Sequence, residues 1–255
     1  MSLLIDADFI VYKCCAATET EIDWGDDVIT VTSRFSEAYE YVEQELYKIA
    51  KDLGCFDDSI LFFSDSRNFR KLVDPEYKGH RNRKKPCGYK RVINKLKEDY
   101  QVVVMPGLEA DDALGIYATK ELGHIICSPD KDMRQIPGQL YDLSEAVIEV
   151  SKEEGDRWHL VQTMAGDQTD GYAGIPTIGV KRADAILTAN GATWNTVLEA
   201  FLEKGLTEED ALKNARLAKI LQVEDYDFTN QEPRLWHPGP NSGADDGATV
   251  QAKAN

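Results

Sequence analysis

Three carboxylates crowd into four positions of the stretch GLEADDALGIY, residues 107–117, directly before a run of apolar residues. They belong to Glu109, Asp111 and Asp112. Acidic residues favour the first turn of a helix, because they accept from free backbone amides and face the positive end of the helix dipole. A helix start explains one or two of these acids. Whether the acids also have a catalytic or metal-binding role must be inferred from the rest of the sequence.

Acids also follow each of four short apolar runs. The runs occupy residues 3–5, 59–63, 101–105 and 124–127, and the acids that follow them are Asp6, Asp65, Glu109 and Asp130. The runs are continuous rather than alternating, which is typical of strands buried on both faces of a parallel sheet. Helix-like stretches near 36–53, 88–99 and 109–122 separate them, so the pattern predicts an α/β domain with right-handed crossovers. Ligands of such sheets lie beyond the carboxyl ends of the strands.

Nine acids are candidate metal ligands: Asp6, Asp65, Glu109, Asp111, Asp112, Asp130, Asp132, Asp167 and Asp170. Several carboxylates in one cleft repel one another and pick up protons, and divalent cations remove this problem. Oxygen ligands without Cys or His partners indicate Mg²⁺ or Mn²⁺ rather than zinc. Two such ions, roughly 3.5–4 Å apart, can hold the attacking and leaving oxygens of a phosphoryl transfer in line.

The stretch YKGHRNRKKPCGYKRVINKLK, residues 77–97, carries the opposite charge. It holds nine of the chain's 29 Lys and Arg residues and no acid. Cations at this density would contact phosphates. Gly79, Pro86 and Gly88 interrupt any long helix, so we expect a mobile basic loop over the acidic edge of the sheet. Tyr77 and Tyr89 could stack on bases or simply pack.

A second phosphate contact is predicted in GIPTIGVKRADAIL, residues 174–187. A turn at Gly179 precedes a helix beginning near Val180, and the backbone amides at such a point bind anions. Lys181 and Arg182 stand at the helix start. From Ser151 the chain is predicted to be mostly helical, with helices near 151–165, 179–190, 193–204 and 207–222. The Gly- and Pro-containing tail, 237–255, is predicted to be disordered.

The overall composition fits a soluble globular protein of 255 residues, with 42% hydrophobic and 29% charged residues. A net charge of −16 argues against a protein that coats nucleic acid or anionic membranes by its overall field, but it permits a locally basic groove. The five scattered cysteines are expected to be reduced, as in a cytosolic protein. We expect no signal peptide and no membrane association.

The motifs LLIDAD, FSDS, VDPEYKGHR, LEADDA, SPDKD, GDQTDGY and GIPTIGVKRA resemble, in this order, those of the flap endonuclease-like 5′ nucleases. This superfamily includes bacteriophage 5′→3′ exonucleases and the 5′-nuclease domains of bacterial DNA polymerases. The stretches VDPEYKGHR, KKPCGY, WHLVQT and GDQTDGY are especially similar to the exonuclease of podovirus-type phages. The resemblance extends from about residue 3 to residue 236.

The resemblance implies an α/β nuclease domain over 1–150 with a flexible basic arch at about 66–100, a helical helix–turn–helix lobe that binds duplex DNA over 151–236, and a tail over 237–255. It divides the nine acids into two metal clusters, one containing Asp6, Asp65, Glu109, Asp111 and Asp112 and the other Asp130, Asp132, Asp167 and Asp170. Lys78 and Arg81 match the residues that hold the scissile phosphate. The expected DNA contacts are Arg83, Lys84, Lys85, Lys90, Arg91, Ile175, Thr177, Gly179, Lys181 and Arg182.

The implied activity is metal-dependent hydrolysis of DNA from 5′ ends, with products that bear 5′-phosphates. RNA in RNA–DNA hybrids is an expected second substrate, and phage DNA replication and host DNA breakdown in the cytoplasm of the infected bacterium are the expected context. A monomer that works with phage replication proteins is expected. Relatives often hold K⁺ at the duplex-gripping hairpin, but Thr177 replaces the first glycine of their G-I-G motif.

Four alternatives stay open. A PIN-type ribonuclease has a similar acidic edge, but such domains are usually shorter and lack the lobe around GDQTDGYAGIPTIGVKRA. A non-catalytic DNA-structure binder would have no use for all nine carboxylates. A calcium-only site is disfavoured because DKDMRQIPGQLYD lacks the glycine and the final acid of an EF-hand loop. An acidic DNA mimic is disfavoured by the basic stretch.

Overall fold

The computed structural model describes residues 2–56, 58–81, 84–144 and 146–239. Arg83 and most of the predicted tail lie outside these residues. The chain forms two compact units. The sheet unit runs to Asp156 and includes Ile220–Arg234, and the helical unit comprises Arg157–Lys219 and the chain from Leu235. The domain limits at residues 150 and 236 stay a prediction.

A six-stranded sheet forms the centre of the sheet unit. Its strand order is β5-β4-β1-β6-β7-β8, and all neighbours are parallel except β7 and β8. This confirms the predicted mainly parallel sheet. The strands are β1 (Leu3–Asp6), β4 (Ser59–Phe62), β5 (Gln101–Val103), β6 (Ile125–Cys127), β7 (Gly138–Tyr141) and β8 (Val147–Val150). The helices are α1 (Ala7–Ala17), α2 (Phe35–Leu53), α3 (Arg70–Val73), α4 (Tyr89–Asp99) and α5 (Ala110–Lys120).

The apolar runs are continuous because both faces of the sheet are covered. Leu3 and Ile5 of β1 pack with α1, α2 and α4, whereas Leu4 packs with α5 on the opposite face. Side chains of a strand point alternately to its two faces, so a strand covered on both sides must be apolar throughout. Burying each such Leu or Ile contributes about 1.5–3 kcal/mol.

The strand order reverses direction at β1, which lies between β4 and β6. The connection from β1 reaches β4 on one side, and the connection from β5 returns across the sheet to β6 on the other. Loops diverge at such a point and leave a crevice beyond the carboxyl ends of the strands. The acids that follow β1, β4 and β6 are therefore delivered to one place.

Several elements of the sheet unit were not predicted, among them a helix and a hairpin near its N-terminus. Helix α1 follows β1 without a loop, and a two-stranded antiparallel hairpin, β2 (Glu19–Asp23) and β3 (Ile29–Ser33), separates α1 from α2. The hairpin presents several exposed apolar side chains, including Trp24 and Ile29. The described helices include none that is both long and apolar enough to span a bilayer.

The helical unit has its own apolar core, formed by residues such as Val161, Leu187, Val197 and Phe201. Helix α6 (Lys152–Ala165) enters it from the sheet unit. A hairpin follows, formed by β9 (Gly166–Asp167) and β10 (Tyr172–Ala173), and then come α7 (Val180–Asn190), α8 (Trp194–Leu202) and α9 (Glu208–Ala218). The chain then returns to the sheet unit, where β11 (Tyr226–Asp227) pairs with β12 (Glu232–Pro233).

The predicted helices of this half correspond to α6, α7, α8 and α9. The last one is shorter than predicted, because it ends at Ala218 and residues 219–222 are not helical. The apolar pattern continues past the helix because Ile220 and Leu221 are buried in the core of the sheet unit instead.

Candidate functional site

Asp6 ends strand β1 and caps helix α1. Its side chain accepts from the backbone amide of Phe9 at 3.3 Å and from the hydroxyl of Ser128 at 2.9 Å. Ser128 follows β6 and is fully buried, and its hydroxyl also accepts from the amide of Asp130 at 3.2 Å. One serine thus ties together the ends of the two neighbouring strands β1 and β6.

We call Asp6, Asp111 and Asp130 the acid rim, because their charges act on one another. Burial raises the pKa of Asp6 from 3.8 to about 6, and the charges of Asp8 and Asp130 contribute to this rise. Burial also raises the pKa of Asp111 well above its ordinary value, with added contributions from Asp6, Asp130 and Glu109. The charge of Lys78 lowers the pKa of Asp111, but burial and the neighbouring acids have the larger effect. The acid rim therefore holds acids whose ionisation is opposed by burial and by their mutual charges.

The acid rim is not arranged as a finished coordination shell. Among the described residues, no group of three or more His, Cys, Asp or Glu side chains has the geometry to hold a metal ion. The donors are nevertheless all carboxylates, the ligand type that hard divalent cations prefer.

Glu109 lies at the N-terminus of α5 and accepts from three side chains. The hydroxyl of Tyr77 donates at 3.0 Å, the ammonium of Lys78 at 2.5 Å and the guanidinium of Arg70 at 3.3 Å. Burial disfavours the charged carboxylate, but Lys78 and Arg70 outweigh it and lower the pKa of Glu109 to about 2. Glu109 is therefore ionised and holds Lys78 beside the acid rim.

Asp112 lies in the protein interior and not with the acid rim, and its role as a metal ligand stays a prediction. Its side chain is fully buried, and its two oxygens accept from Arg70 at 2.7 and 2.8 Å. One oxygen also accepts from the backbone amide of Leu221 at 3.2 Å. We call Arg70 and Asp112 the buried ion pair. With both oxygens bound to protein groups, Asp112 orients the start of α5.

Asp65 joins two loops at the carboxyl end of the sheet. Its carboxylate accepts from the amides of Gly107 at 2.8 Å and Ser66 at 2.7 Å, and its own amide donates to the carbonyl of Leu108 at 2.9 Å. The amide of Gly107 is the main reason that the pKa of Asp65 is lowered. Asp65 thereby fixes the loop that leads to Glu109, and its role as a metal ligand stays a prediction.

The predicted second metal cluster is divided between the two units. Asp130 is exposed and accepts from the amide of Asp132 at 2.9 Å in the sheet unit. In the helical unit, Asp167 ends β9 and Asp170 lies in the turn that leads to β10. Asp167 accepts from the amides of Thr169 and Asp170 at 2.7 and 3.3 Å. Their joint action on a metal stays a prediction.

The basic stretch forms turns through residue 80 and becomes helix α4 at Tyr89. Arg81, Lys84, Lys85, Lys90 and Arg91 are exposed. The guanidinium of Arg91 lies 4.4 Å from the centre of the Phe35 ring, so part of its charge is used within the protein. Tyr77 and Tyr89 are buried, so they pack and do not stack on bases.

Comparison with known proteins identifies the family. The sequence profile of the 5′-3′ exonuclease N-terminal, resolvase-like domain matches residues 1–155. This chain belongs to the 5′-3′ exonuclease family. It is 29% identical to an exodeoxyribonuclease of Enterobacteria phage T3, with 92% of each chain covered. It is also 29% identical to an exonuclease of Escherichia phage T7, with 92% of this chain and 93% of that one covered.

Solved structures of similar fold include the phage T5 5′-exonuclease with bound zinc, at a TM-score of 0.62 and 16% identity, covering 85% of this chain and 88% of that one. The catalytic core of Rad2 in complex with DNA substrate gives a TM-score of 0.53 at 12% identity, covering 80% of this chain and 64% of that one. These likenesses confirm the predicted 5′-nuclease fold, and the family match confirms the nuclease prediction.

In this 5′-3′ exonuclease family member, the predicted duplex-gripping turn precedes helix α7. Thr177, Gly179, Lys181 and Arg182 are at the start of this helix, and Gly179 caps it. Thr177 has a φ of 69°, a left-handed conformation that favours glycine. The side chain of Ile175 is buried in the core, so its predicted contact with DNA cannot involve that side chain.

Sequence reasoning missed three residues that organise the site: Asp8, Ser128 and Arg70. Asp8 stands two positions after Asp6, a spacing that was visible in the motif LLIDAD. Ser128 stands two positions before Asp130 in SPDKD. Arg70 offered no signal, because it meets Asp112 across 42 positions of sequence.

Proposed function

We propose that this chain hydrolyses the phosphodiester bonds of DNA from 5′ ends and releases 5′-phosphorylated mono- or oligonucleotides. The observation that carries this proposal is the mutual influence of Asp6, Asp111 and Asp130, two of which have a raised pKa because burial and neighbouring charges oppose their ionisation. The names of the phage T3 and T7 relatives support the same activity.

The acid rim suits two Mg²⁺ or Mn²⁺ ions. Its donors are carboxylate oxygens without Cys or His, and its negative charge calls for cations. Such ions would lower the pKa of an attacking water and stabilise the charge of an in-line displacement. The zinc-bound phage T5 5′-exonuclease supports divalent metal binding in this fold. Asp6, Asp111 and Asp130 would hold the ions, with Glu109, Asp65, Asp132, Asp167 and Asp170 as further predicted ligands.

Cationic side chains of this chain would hold the phosphate. The ammonium of Lys78 is fixed beside the acid rim by Glu109. Arg81 follows three positions later in the same turn, where its backbone amide donates to the carbonyl of Lys78. A cation at this point attracts a phosphodiester and stabilises the charge that develops on it during cleavage. The exposed Lys84, Lys85 and Lys90 would add contacts to the DNA backbone.

The helical unit is proposed to grip duplex DNA. The start of α7, with the exposed Lys181 and Arg182 beside the first amides of the helix, is suited to a backbone phosphate. The same proposal includes two further substrates, a 5′ flap and RNA in an RNA–DNA hybrid, and a K⁺ ion bound at this turn. It also includes a monomeric state and phage replication partners in the cytoplasm of the infected cell. The Rad2 core in complex with DNA substrate supports DNA binding by this fold.

The test is product analysis on a 5′-labelled duplex, with and without a 5′ overhang and with and without Mg²⁺. Labelled mononucleotides or short oligonucleotides that require Mg²⁺ are the expected products. Asp130→Asn should lower turnover far more than DNA affinity, whereas the control Asp26→Asn, in the exposed turn of the β2–β3 hairpin, should change neither. Cleavage of single-stranded RNA alone would indicate the PIN-type alternative, and binding without any cleavage would indicate the non-catalytic one.

A further inference from the structure

Asp8, on the first turn of α1, makes two hydrogen bonds to other elements. One carboxylate oxygen accepts from the backbone amide of Ser64 at 2.8 Å, and the other accepts from the hydroxyl of Tyr89 at 2.8 Å. Ser64 follows strand β4, and Tyr89 is the first residue of α4, four positions after the exposed Lys85 of the basic stretch. A single side chain therefore joins the carboxyl end of the sheet to the end of the basic stretch.

The contact continues to the helix that carries Asp111. The hydroxyl of Ser64 accepts from the amide of Ala110, the first residue of α5, at 3.0 Å. A chain of hydrogen bonds thus runs from Tyr89 through Asp8 and Ser64 to the start of α5. Tyr89 is anchored to the same framework that presents the acid rim.

Neighbouring residues of the basic stretch also contact the start of the sheet unit. The ammonium of Lys85 lies 4.6 Å from the centre of the Tyr89 ring and 5.8 Å from that of Tyr12, which is on α1. The amide of Cys87 donates to Glu19 of the hairpin at 2.7 Å. Lys85 is exposed, so its charge can reach a phosphate while the contacts of Tyr89 and Cys87 hold the stretch against the sheet unit.

We propose that Asp8 and Tyr89 form a positioning pair, which fixes the C-terminal end of the basic stretch relative to the acid rim. The pair acts by positioning Lys85 and the cations around it. This inference rests on the proposed function, because the cations it aligns are those proposed to hold the DNA backbone. Its predicted effect is on the rate of cleavage, since misalignment of a bound phosphate lowers the probability of in-line attack without removing any cation.

The test compares two matched variants of the full chain. Tyr89→Phe removes only the hydroxyl that donates to Asp8. The control, Tyr39→Phe, removes a tyrosine hydroxyl that donates to Asp99 at the opposite end of the same helix, α4. Tyr89→Phe should lower kcat on duplex DNA with Mg²⁺ about tenfold and change KM less than about twofold. Tyr39→Phe should change both by less than about twofold.

A double-mutant cycle tests the coupling. Asp8→Ala should lower kcat at least as much as Tyr89→Phe, and the double variant should lose no more than Asp8→Ala alone. Additive losses, equal losses in Tyr89→Phe and Tyr39→Phe, or an unchanged kcat in Tyr89→Phe would overturn the proposal.

A second measurement separates this inference from the proposed function. Trypsin cleavage within residues 84–91, followed by mass spectrometry, should be about tenfold faster in Tyr89→Phe than in wild type or Tyr39→Phe, because the stretch would open more often. Equal cleavage rates overturn the positioning pair. Failure of the wild-type chain to cleave duplex DNA overturns the proposed function, and the trypsin experiment still decides the fate of the pair.

Discussion

The acid rim and the buried ion pair are built from adjacent residues but have opposite electrostatics. Asp111 lies among like charges that oppose its ionisation, whereas Asp112, one position later, is bound at both oxygens by Arg70. Successive residues of a helix point about 100° apart. Asp111 therefore faces the carboxyl ends of the strands, whereas Asp112 faces the protein interior. Two adjacent acids of one motif can therefore differ in role, one at the acid rim and the other in the protein interior.

Removal of Asp112 should have the largest effect on stability. Asp112→Ala removes two short hydrogen bonds from the buried Arg70 and leaves it the longer contact with Glu109. Loss of one partner of a buried ion pair costs about 3–5 kcal/mol. Urea unfolding measures this free energy. The double variant Arg70→Met with Asp112→Leu should recover most of the lost free energy of unfolding, because this variant replaces both charges of the buried ion pair with apolar side chains. A loss below about 1 kcal/mol in Asp112→Ala would contradict the role of the pair.

Asp111→Asn should produce the converse result. Turnover should fall about 10²–10³-fold, in the range of a lost electrostatic contact to the transition state. Stability should stay the same or rise, because the substitution removes a charge that its neighbours oppose. Single-turnover kinetics and urea unfolding on the same protein provide the measurement. A variant that is both active and destabilised would place Asp111 with the buried ion pair.

Lys78→Ala should lower the rate of cleavage about 10²-fold, because it removes a cation held beside the acid rim. Glu109 keeps its contact with Arg70, so we expect only a small change in stability. Lys71→Ala, on the exposed surface of α3, is the control. Wild-type turnover in Lys78→Ala would remove this residue from the proposed mechanism.

The two regions should also respond differently to pH. Because the folded pKa of Asp6 is raised from 3.8 to about 6, the folded state holds this proton better than the unfolded chain, and stability falls as pH rises from about 4 to about 6. Glu109 has a lowered pKa of about 2, so its contribution is present above its ordinary value of 4.5 and is lost as pH falls towards 2.

Asp6→Asn isolates the first of these effects. With a chelator present, the substitution should stabilise the chain more at a pH of about 7.5 than at about 4.5, by on the order of 1–3 kcal/mol. Mg²⁺ should reduce this difference if the acid rim binds it. Urea unfolding at both pH values measures the effect, and a pH-independent difference between variant and wild type would argue against a raised pKa.

The sequence was sufficient for the sheet and for the helices of the second unit. The four apolar runs became β1, β4, β5 and β6, because a short and continuously apolar run is typical of a strand that is buried on both faces. Helix α1 was missed although Ile10, Val11, Cys14 and Cys15 have helical spacing, because it follows β1 without the turn residues that usually separate two elements. The β2–β3 hairpin carries mostly exposed residues and gave no burial signal.

The candidate site was predictable only in part. Strand ends and motif spacing indicated Asp6, Asp111 and Asp130, but spacing cannot state which of two adjacent acids meets a distant arginine. The fate of Asp112 depends on Arg70 and on Leu221, 109 positions away. Such contacts are set by the tertiary fold and leave no local pattern.

The chain returns to the sheet unit at residues 220–234 and enters the helical unit again at Leu235, so the two units are interleaved along the sequence. Ile220, Leu221 and Tyr226 complete the core of the first unit, so a fragment that stops near residue 156 would expose apolar surface and leave Asp112 without the amide of Leu221. Exchanging the helical unit between related enzymes would therefore need three junctions, near residues 156, 220 and 235. A chimera joined at the first alone should aggregate.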